Sequence, residues 1–161
     1  MTTSSGHFEA DDLVRKEIPD IPFTYEFVLE KLGEGWPLFQ TALQKSKIHN
    51  VVVSTIGEGT GFMSTLKKFT VHFADPCMKP MSAVLKTQKN EKFKPMHNIE
   101  CEFYTEFGGK GIIPLPVIYY AGKWDASSGI EGLLIMENLS GKGQLVSVFD
   151  GASIAQVGEN K

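Results

Sequence analysis

The chain has only two cysteines, no long apolar run and no large excess of charge of either sign. Two cysteines, Cys77 and Cys101, cannot form a disulfide framework or a four-cysteine metal site. The apolar run Leu133–Met136 is far too short to span a bilayer. The net charge of −3 gives no electrostatic reason to expect nucleic acid or an anionic membrane as a partner. Residues 1–12 lack the basic and then apolar order of a signal peptide, so a reducing, cytoplasmic location is expected.

The composition that is present fits one globular domain with a real core. Of the 161 residues, 42% are hydrophobic and 22% are charged, which is the balance of a soluble globular protein. Composition along the chain predicts a flexible tail over residues 1–22 and one folded lobe over 23–139. Residues 140–161 are predicted to be a linker-like stretch that leads into the start of another helix.

Periodicity and turn residues predict an antiparallel sheet with one main helix packed on it, an α+β fold. Thr24 is placed to cap a first short helix, which Gly33 and Gly35 close. A second short helix is predicted from Pro37 to Lys45. Five strands and the main helix are expected to follow, in the order Val51–Val53, Phe62–Phe73, Met81–Thr87, the helix Met96–Phe107, Val117–Ala121 and Ile130–Met136.

Two of these elements carry expectations about burial. In the second strand, the side chains expected to point inward are Leu66, Phe69, Val71 and Phe73, and those expected to stay in solvent are Lys67, Lys68 and His72. In the main helix, an apolar residue recurs at every fourth position and predicts the buried face, formed by Ile99, Phe103 and Phe107. His97 is expected to cap this helix or to lie on its surface.

Three consecutive pieces of the sequence could together bind phosphate. Glycines in the turn between the first two strands would let backbone N–H groups approach a phosphate without interference from Cβ atoms. The residues of this turn that could contact phosphate are Gly57, Gly59, Gly61 and Ser64. Lys86 lies on the third predicted strand, and Glu100 lies on the helix that follows it. An ion pair between Lys86 and Glu100 would direct the ammonium group toward phosphate oxygens.

Each piece also has a structural alternative. The turn could be an ordinary glycine-rich hairpin, and it matches neither a Rossmann fingerprint nor a Walker loop. Lys86 could be an edge lysine whose stem covers apolar surface while its ammonium group stays in water. Glu100 and Glu102 could both be solvated helix acids. The order and spacing of the three pieces together favour the phosphate-binding interpretation.

With further stretches of the chain, these residues resemble the amino-terminal lobe of the choline-kinase-like group of small-molecule kinases, in particular its ecdysteroid-kinase-like branch. The resemblance extends from about Thr24 to about Gln156. It is specific as an ensemble, although no single piece is. The matching stretches are Gly59–Ser64, Val84–Lys86, His97–Tyr104, Ile113–Pro116 and Leu134–Glu137.

The resemblance implies a protein-kinase-like amino-terminal lobe that binds ATP for phosphoryl transfer to the hydroxyl group of a small molecule. Lys86 would hold the phosphates, Glu100 would brace Lys86, and the turn over 57–64 would cover the triphosphate. The adenine site would be lined by Met136, Glu137 and Leu139.

The sequence departs from this family after the predicted hinge. No His-Gly-Asp catalytic loop follows Leu139, and Asp150 is the only aspartate there. A catalytic base and ligands for Mg²⁺ are therefore expected only in full-length relatives, and we assign no catalytic or metal residue. Residues 140–161 would be the hinge and the truncated start of a carboxyl-terminal lobe, as in a fragment, a splice form or an incomplete gene model.

Without that lobe, the chain is expected to be catalytically incomplete and to lack the site for a small-molecule acceptor. One alternative is a non-catalytic interaction fragment or pseudokinase-like binding module, whose exposed cleft face a protein partner would cover. Another alternative is an unrelated β-rich protein that binds a small ligand.

Overall fold

The computed structural model describes residues 15–57, 64–111 and 114–141. Its elements are, in chain order, α1 (Tyr25–Gly35), α2 (Pro37–Lys45), β1 (Ile48–Thr55), β2 (Ser64–Phe73), β3 (Met81–Gln88), a 3₁₀ turn (Glu91–Phe93), α3 (Lys94–Phe107), β4 (Ile118–Gly122) and β5 (Leu133–Glu137). The five strands form one antiparallel sheet in the order β1-β2-β3-β5-β4. The predicted α+β class with five antiparallel strands is confirmed. None of the helices described is long and apolar enough to cross a membrane.

The two short helices begin where the sequence predicts. Thr24 Oγ1 accepts a hydrogen bond of 3.2 Å from the Phe27 N–H and caps α1, and Pro37 occupies the first turn of α2. Each helix buries one side, with Val28 and Leu32 in α1 and Phe39 and Ala42 in α2. These side chains belong to a single hydrophobic cluster that also includes one face of the sheet.

Strand register determines which side chains of the sheet join that cluster. Phe69 lies opposite Ala83, and Leu85 lies opposite Ile135, so all four point to the same face. These four side chains are no more than 1% exposed, and they pack with α1 and α2. Full burial of an aliphatic or aromatic side chain of this size contributes about 1.5–3 kcal/mol. We call this side of the sheet the core face, and α3 lies against the opposite face.

The end of the predicted flexible tail is part of the folded core. In the segment 15–22, Ile18 and Ile21 are only 1% and 5% exposed, and both join the hydrophobic cluster. The Ile18 N–H also donates a 2.8 Å hydrogen bond to the Phe23 carbonyl, which folds the segment back onto α1. The prediction of a flexible tail over 1–22 is therefore wrong for residues 15–22, because two isoleucines three positions apart reach the core together. Residues 1–14 lie outside the described part of the chain.

The predicted burial pattern of β2 is partly wrong. Burial follows the odd-numbered positions, from Thr65 to Phe73, so Leu66 cannot share a face with Phe69 and lies on the opposite side. Lys67, expected in solvent, is on the core face and only 4% exposed. Its burial is possible because its ammonium group pairs with Asp20 at 2.6 Å.

Helix α3 buries a different face from the one predicted. The apolar residues expected to face the core, Ile99, Phe103 and Phe107, are 66%, 39% and 38% exposed. The buried residues are instead His97 and Cys101, so the prediction that His97 caps the helix or lies on its surface is also wrong. The buried side of α3 is the side that hydrogen-bonds to β4, because His97 Nε2 lies 2.9 Å from the Gly122 carbonyl oxygen, and a buried imidazole needs such a partner.

Candidate functional site

Strand β3 and helix α3 bring Lys86 and Glu100 together. Lys86 Nζ lies 2.5 Å from Glu100 Oε1, and each side chain is 24% exposed. The ion pair that the sequence predicts is therefore present. The predicted alternation of β3 is also confirmed, because Ala83 and Leu85 are fully buried on the core face while Val84 and Lys86 lie on the other face.

Lys86 lies in the middle of the sheet. Strand β3 is paired on both sides, and Lys86 is directly opposite Leu66 of β2 and Leu134 of β5. Its aliphatic stem therefore runs between two leucines, of which Leu134 is 0% exposed. The alternative that Lys86 is an edge lysine is wrong, and a lysine in this position needs an acidic partner.

Glu100 faces Lys86 because α3 is fixed to β4 and to the residues just after it. His97 Nε2 is 2.9 Å from the Gly122 carbonyl oxygen. Asn98 Nδ2 donates to the Trp124 carbonyl at 2.8 Å, and the Trp124 N–H donates back to Asn98 Oδ1 at 2.8 Å. Three hydrogen bonds from two consecutive helix residues set the rotation of α3 and hence the direction of Glu100.

His97 and Cys101 are structural. The carbonyl of Gly122 can only accept, so the close Nε2 of His97 carries the proton, and Cys101 Sγ lies 3.3 Å from the same nitrogen. Burial is the main cause that raises the pKa of the Cys101 thiol to about 11, and the nearby Glu100 carboxylate adds to it. A buried thiol that stays protonated at neutral pH is not a nucleophile, so this pair is not a catalytic dyad.

A cavity of about 440 Å³ lies beside the ion pair. Lys86 and Ser64 line one part of it, and the Ser64 hydroxyl donates to Gln88 Oε1 at 3.2 Å. The other walls come from α3 and are largely apolar, with Met96, Ile99, Phe103 and Tyr104. Burial, and secondarily Glu100, raises the pKa of the Tyr104 phenol, which therefore stays neutral. The size and the mixture of one cationic end with apolar walls are those of a small-molecule site.

Some of the predicted site residues surround this cavity. Ser64, Lys86 and Glu100 all line it. Gly57, at the end of β1, has φ of 67°, a conformation that glycine adopts without strain. Gly59 and Gly61 lie outside the described residues.

The residues predicted to line an adenine site do not border this cavity. Met136 lies opposite Val84, further along β5 than Leu134. Glu137 lies opposite Ala83 and so points to the core face; its N–H donates to the Val117 carbonyl at 2.8 Å, and its Oε2 accepts from the Val117 N–H at 3.2 Å. Leu139 is 47% exposed. The structure thus brings together Ser64, Lys86 and Glu100 of the predicted phosphate site, but it does not bring the predicted adenine-site residues to this cavity.

Sequence reasoning missed the buried Lys67 and its partner Asp20. The available signal was strand alternation, because position 67 has the same parity as Phe69, Val71 and Phe73. Among residues 15–57, 64–111 and 114–141, no three His, Cys, Asp or Glu side chains come together as a possible metal site.

Comparison of the chain with protein-family models, with curated proteins and with solved structures found no match.

Proposed function

We propose that this chain is the nucleotide-binding lobe of a small-molecule kinase, in which Lys86, braced by Glu100, binds the phosphates of ATP. The observation that carries the proposal is the 2.5 Å ion pair from the central strand to the main helix, at the edge of a cavity. A lysine of the sheet held by a glutamate of the helix is how protein kinases orient their phosphate-binding ammonium group.

The chemistry of the cavity fits a nucleotide phosphate. The Lys86 ammonium group has three N–H donors, of which Glu100 takes one, so it can also donate to phosphate oxygens in charge-assisted hydrogen bonds. The hydroxyl of Ser64 also lines the cavity, and its O–H would have to turn from Gln88 Oε1 to donate to a phosphate oxygen. The exposed walls of Met96 and Phe103 offer apolar surface to the rest of a ligand.

The reaction proposed for the larger enzyme is phosphoryl transfer to a small-molecule hydroxyl group. Such a transfer needs a base that orients the hydroxyl and a metal ion that neutralises phosphate charge. The 161-residue sequence contains no His-Gly-Asp loop, so we propose that this chain binds nucleotide without turning it over.

Isothermal titration calorimetry with ATP and Mg²⁺ tests the proposal. Lys86→Met keeps the aliphatic stem and should weaken ATP binding by about tenfold or more, because one charge-assisted hydrogen bond to phosphate is lost. Glu100→Gln should weaken it less, since the ammonium group remains but is no longer held. Lys79→Met, at an exposed position before β3, removes the same charge and should leave the affinity within about twofold.

A titration with adenosine separates the phosphate contribution from the rest. Adenosine carries no phosphate, so its weaker binding should be the same for the natural chain and for Lys86→Met. If Lys86→Met and Lys79→Met lower the ATP affinity equally, the lysine acts only through net charge and the assignment of Lys86 fails.

One observation favours a second candidate function, a non-catalytic interaction module. Four apolar side chains on one side of α3, at helical spacings of three or four, are between 38% and 66% exposed, namely Met96, Ile99, Phe103 and Phe107. A contiguous apolar stripe of this kind is typical of a surface that another polypeptide covers. The partner would present an apolar face to α3.

Light scattering after size exclusion tests this candidate with Ile99→Lys. Leu38→Lys is the matched control, because Leu38 is 70% exposed on α2, away from the stripe. If α3 mediates association, complexes should dissociate in Ile99→Lys and persist in Leu38→Lys. Monomers at all concentrations, with no partner bound by either variant, would count against the interaction module.

A further inference from the structure

A second and larger cavity lies at the end of the sheet, on the core face. Its volume is about 650 Å³, within the range of small-molecule sites. The walls come from the ends of β1, β2 and β3, from the segment before α1, from the start of α3 and from the approach to β5. Its most important lining residues are Asp20, Thr55, Thr65, Lys67, Thr87 and Lys94.

Lys67 is the most deeply buried cation that lines this cavity. It lies opposite Thr55 of β1 and Leu85 of β3, and its side chain is 5% exposed. Its Nζ donates to Asp20 Oδ2 at 2.6 Å and to Thr55 Oγ1 at 2.9 Å. An ammonium group has three donors, so these two bonds leave one for a ligand.

The two most buried charged side chains of the cavity are cations, and its acidic side chains are more exposed; Lys89, which also lines the cavity, is exposed. The side chains of Lys67 and Lys94 are 5% and 12% exposed, whereas Asp20 is 76% exposed and Glu91 is 89% exposed. Glu131, 2.7 Å from Lys94, is 34% exposed. Because a carboxylate in water gains little from an ion pair, an incoming anion can replace Asp20 without leaving Lys67 unpaired.

The hydroxyl groups of the cavity also favour an anion. Thr55 Oγ1 accepts from Lys67, so its own O–H can donate to a ligand. Thr65 lies beside Lys67 on the same strand face and lines the cavity with a second hydroxyl. Thr87 is different, since its O–H already donates to the Gly132 carbonyl at 2.9 Å.

We propose that this cavity binds a small oxyanion, a phosphate or carboxylate group, through the ammonium groups of Lys67 and Lys94 and the hydroxyl groups of Thr55 and Thr65. The site is separate from the proposed nucleotide site, because Lys67 and Lys86 point to opposite faces of the sheet. Among the residues that the structure describes, Gln88, at the end of β3, is the one that borders both cavities.

The test is a titration with inorganic phosphate, and then with acetate, followed through the backbone amide signals of the chain by NMR. Phosphate should shift the signals of Thr55, Thr65 and Lys67. Lys67→Met should weaken phosphate binding by about tenfold or more. Lys86→Met should leave the phosphate affinity measured from these same signals within about twofold. Acetate shifting the same signals would identify the ligand group as a carboxylate as well as a phosphate.

Asp20→Asn separates a binding site from an ion pair that only stabilises the fold. The substitution removes the competing carboxylate at an exposed position, so phosphate should bind about threefold or more tightly and should raise the melting temperature more than in the natural chain. Three results would each overturn the proposal. The first is the absence of any shift at about 50 mM phosphate, and the second is the loss of the shifts in Lys86→Met. The third is an Asp20→Asn variant that is destabilised and gains no affinity for phosphate. Because Asp20→Asn leaves the charge of Lys67 in place, the proposal can be tested even if Lys67→Met does not fold.

Discussion

The Lys86–Glu100 ion pair should contribute to folding, and a double-mutant cycle measures how much. Lys86→Met keeps the stem that packs between Leu66 and Leu134, and Glu100→Gln keeps the shape of the side chain without its charge. Each single substitution leaves the other charged group only 24% exposed and without its counter-ion. We expect each to lower the free energy of unfolding by about 1–2 kcal/mol.

The coupling between the two substitutions is the diagnostic quantity. The double variant leaves no unpaired charge, so its loss should be smaller than the sum of the single losses. Exposed ion pairs contribute about 0.2–1 kcal/mol, and removing one partner of a fully buried pair costs about 3–5 kcal/mol. With both side chains partly buried, we expect a coupling energy of about 1 kcal/mol.

Urea unfolding followed by circular dichroism gives the four free energies. The matched control is a second cycle on Lys123 and Glu102, which are also paired, at 2.8 Å, but are 52% and 65% exposed. Its coupling should be below about 0.5 kcal/mol. The reasoning is refuted if the losses of the two single variants sum to the loss of the double variant within about 0.3 kcal/mol. Such additivity would mean that Lys86 and Glu100 do not interact in the folded chain.

Two further predictions concern the packing of α3. Gly132→Ala should lower the free energy of unfolding in urea by about 1–3 kcal/mol, because the added Cβ would collide with the ring of His97. Gly33→Ala is the control and should cost nothing, because its Cβ would meet nothing closer than 3.8 Å. Equal effects of the two substitutions would contradict this packing. Iodoacetamide at about pH 8 should alkylate the exposed Cys77 but not Cys101, whose pKa burial raises to about 11. Peptide mass spectrometry shows which thiol reacts, and modification of Cys101 in the folded chain would disprove its burial.

The features that the sequence predicted well depend on short stretches of chain. Thr24 caps α1 by accepting a hydrogen bond from the N–H of Phe27, three residues later, and the fixed φ of Pro37 favours the start of α2. The Lys86–Glu100 pair was also predictable, because strand alternation fixes the face of Lys86 and only 14 positions separate the two residues. Each of these features is decided by residues close to one another in sequence.

The features that the sequence could not predict depend on partners far along the chain. His97 lies on the buried side of α3 and is hydrogen-bonded to Gly122, 25 positions away, whereas the apolar stripe that contains Ile99 stays exposed. Strand alternation could have placed Lys67 on the core face, but it could not identify the partner of its ammonium group, Asp20, 47 positions earlier. A hydrophobic pattern shows that a face is apolar, but it does not show which polar groups compete to place a neighbouring face against the sheet.

The hydrogen bonds of His97 and Asn98 to Gly122 and Trp124 make the geometry of the Lys86–Glu100 pair depend on the β4–β5 hairpin. The β4–β5 hairpin supplies no lining residue of the cavity beside Lys86; among the described residues it affects that cavity through these hydrogen bonds and through the pairing of β5 with β3. If a ligand binds beside Lys86 as proposed, it meets a glutamate that folding has already oriented, so little conformational entropy is lost on binding. Conversely, local melting of β4 would release Glu100 and reduce affinity although no contact residue had changed.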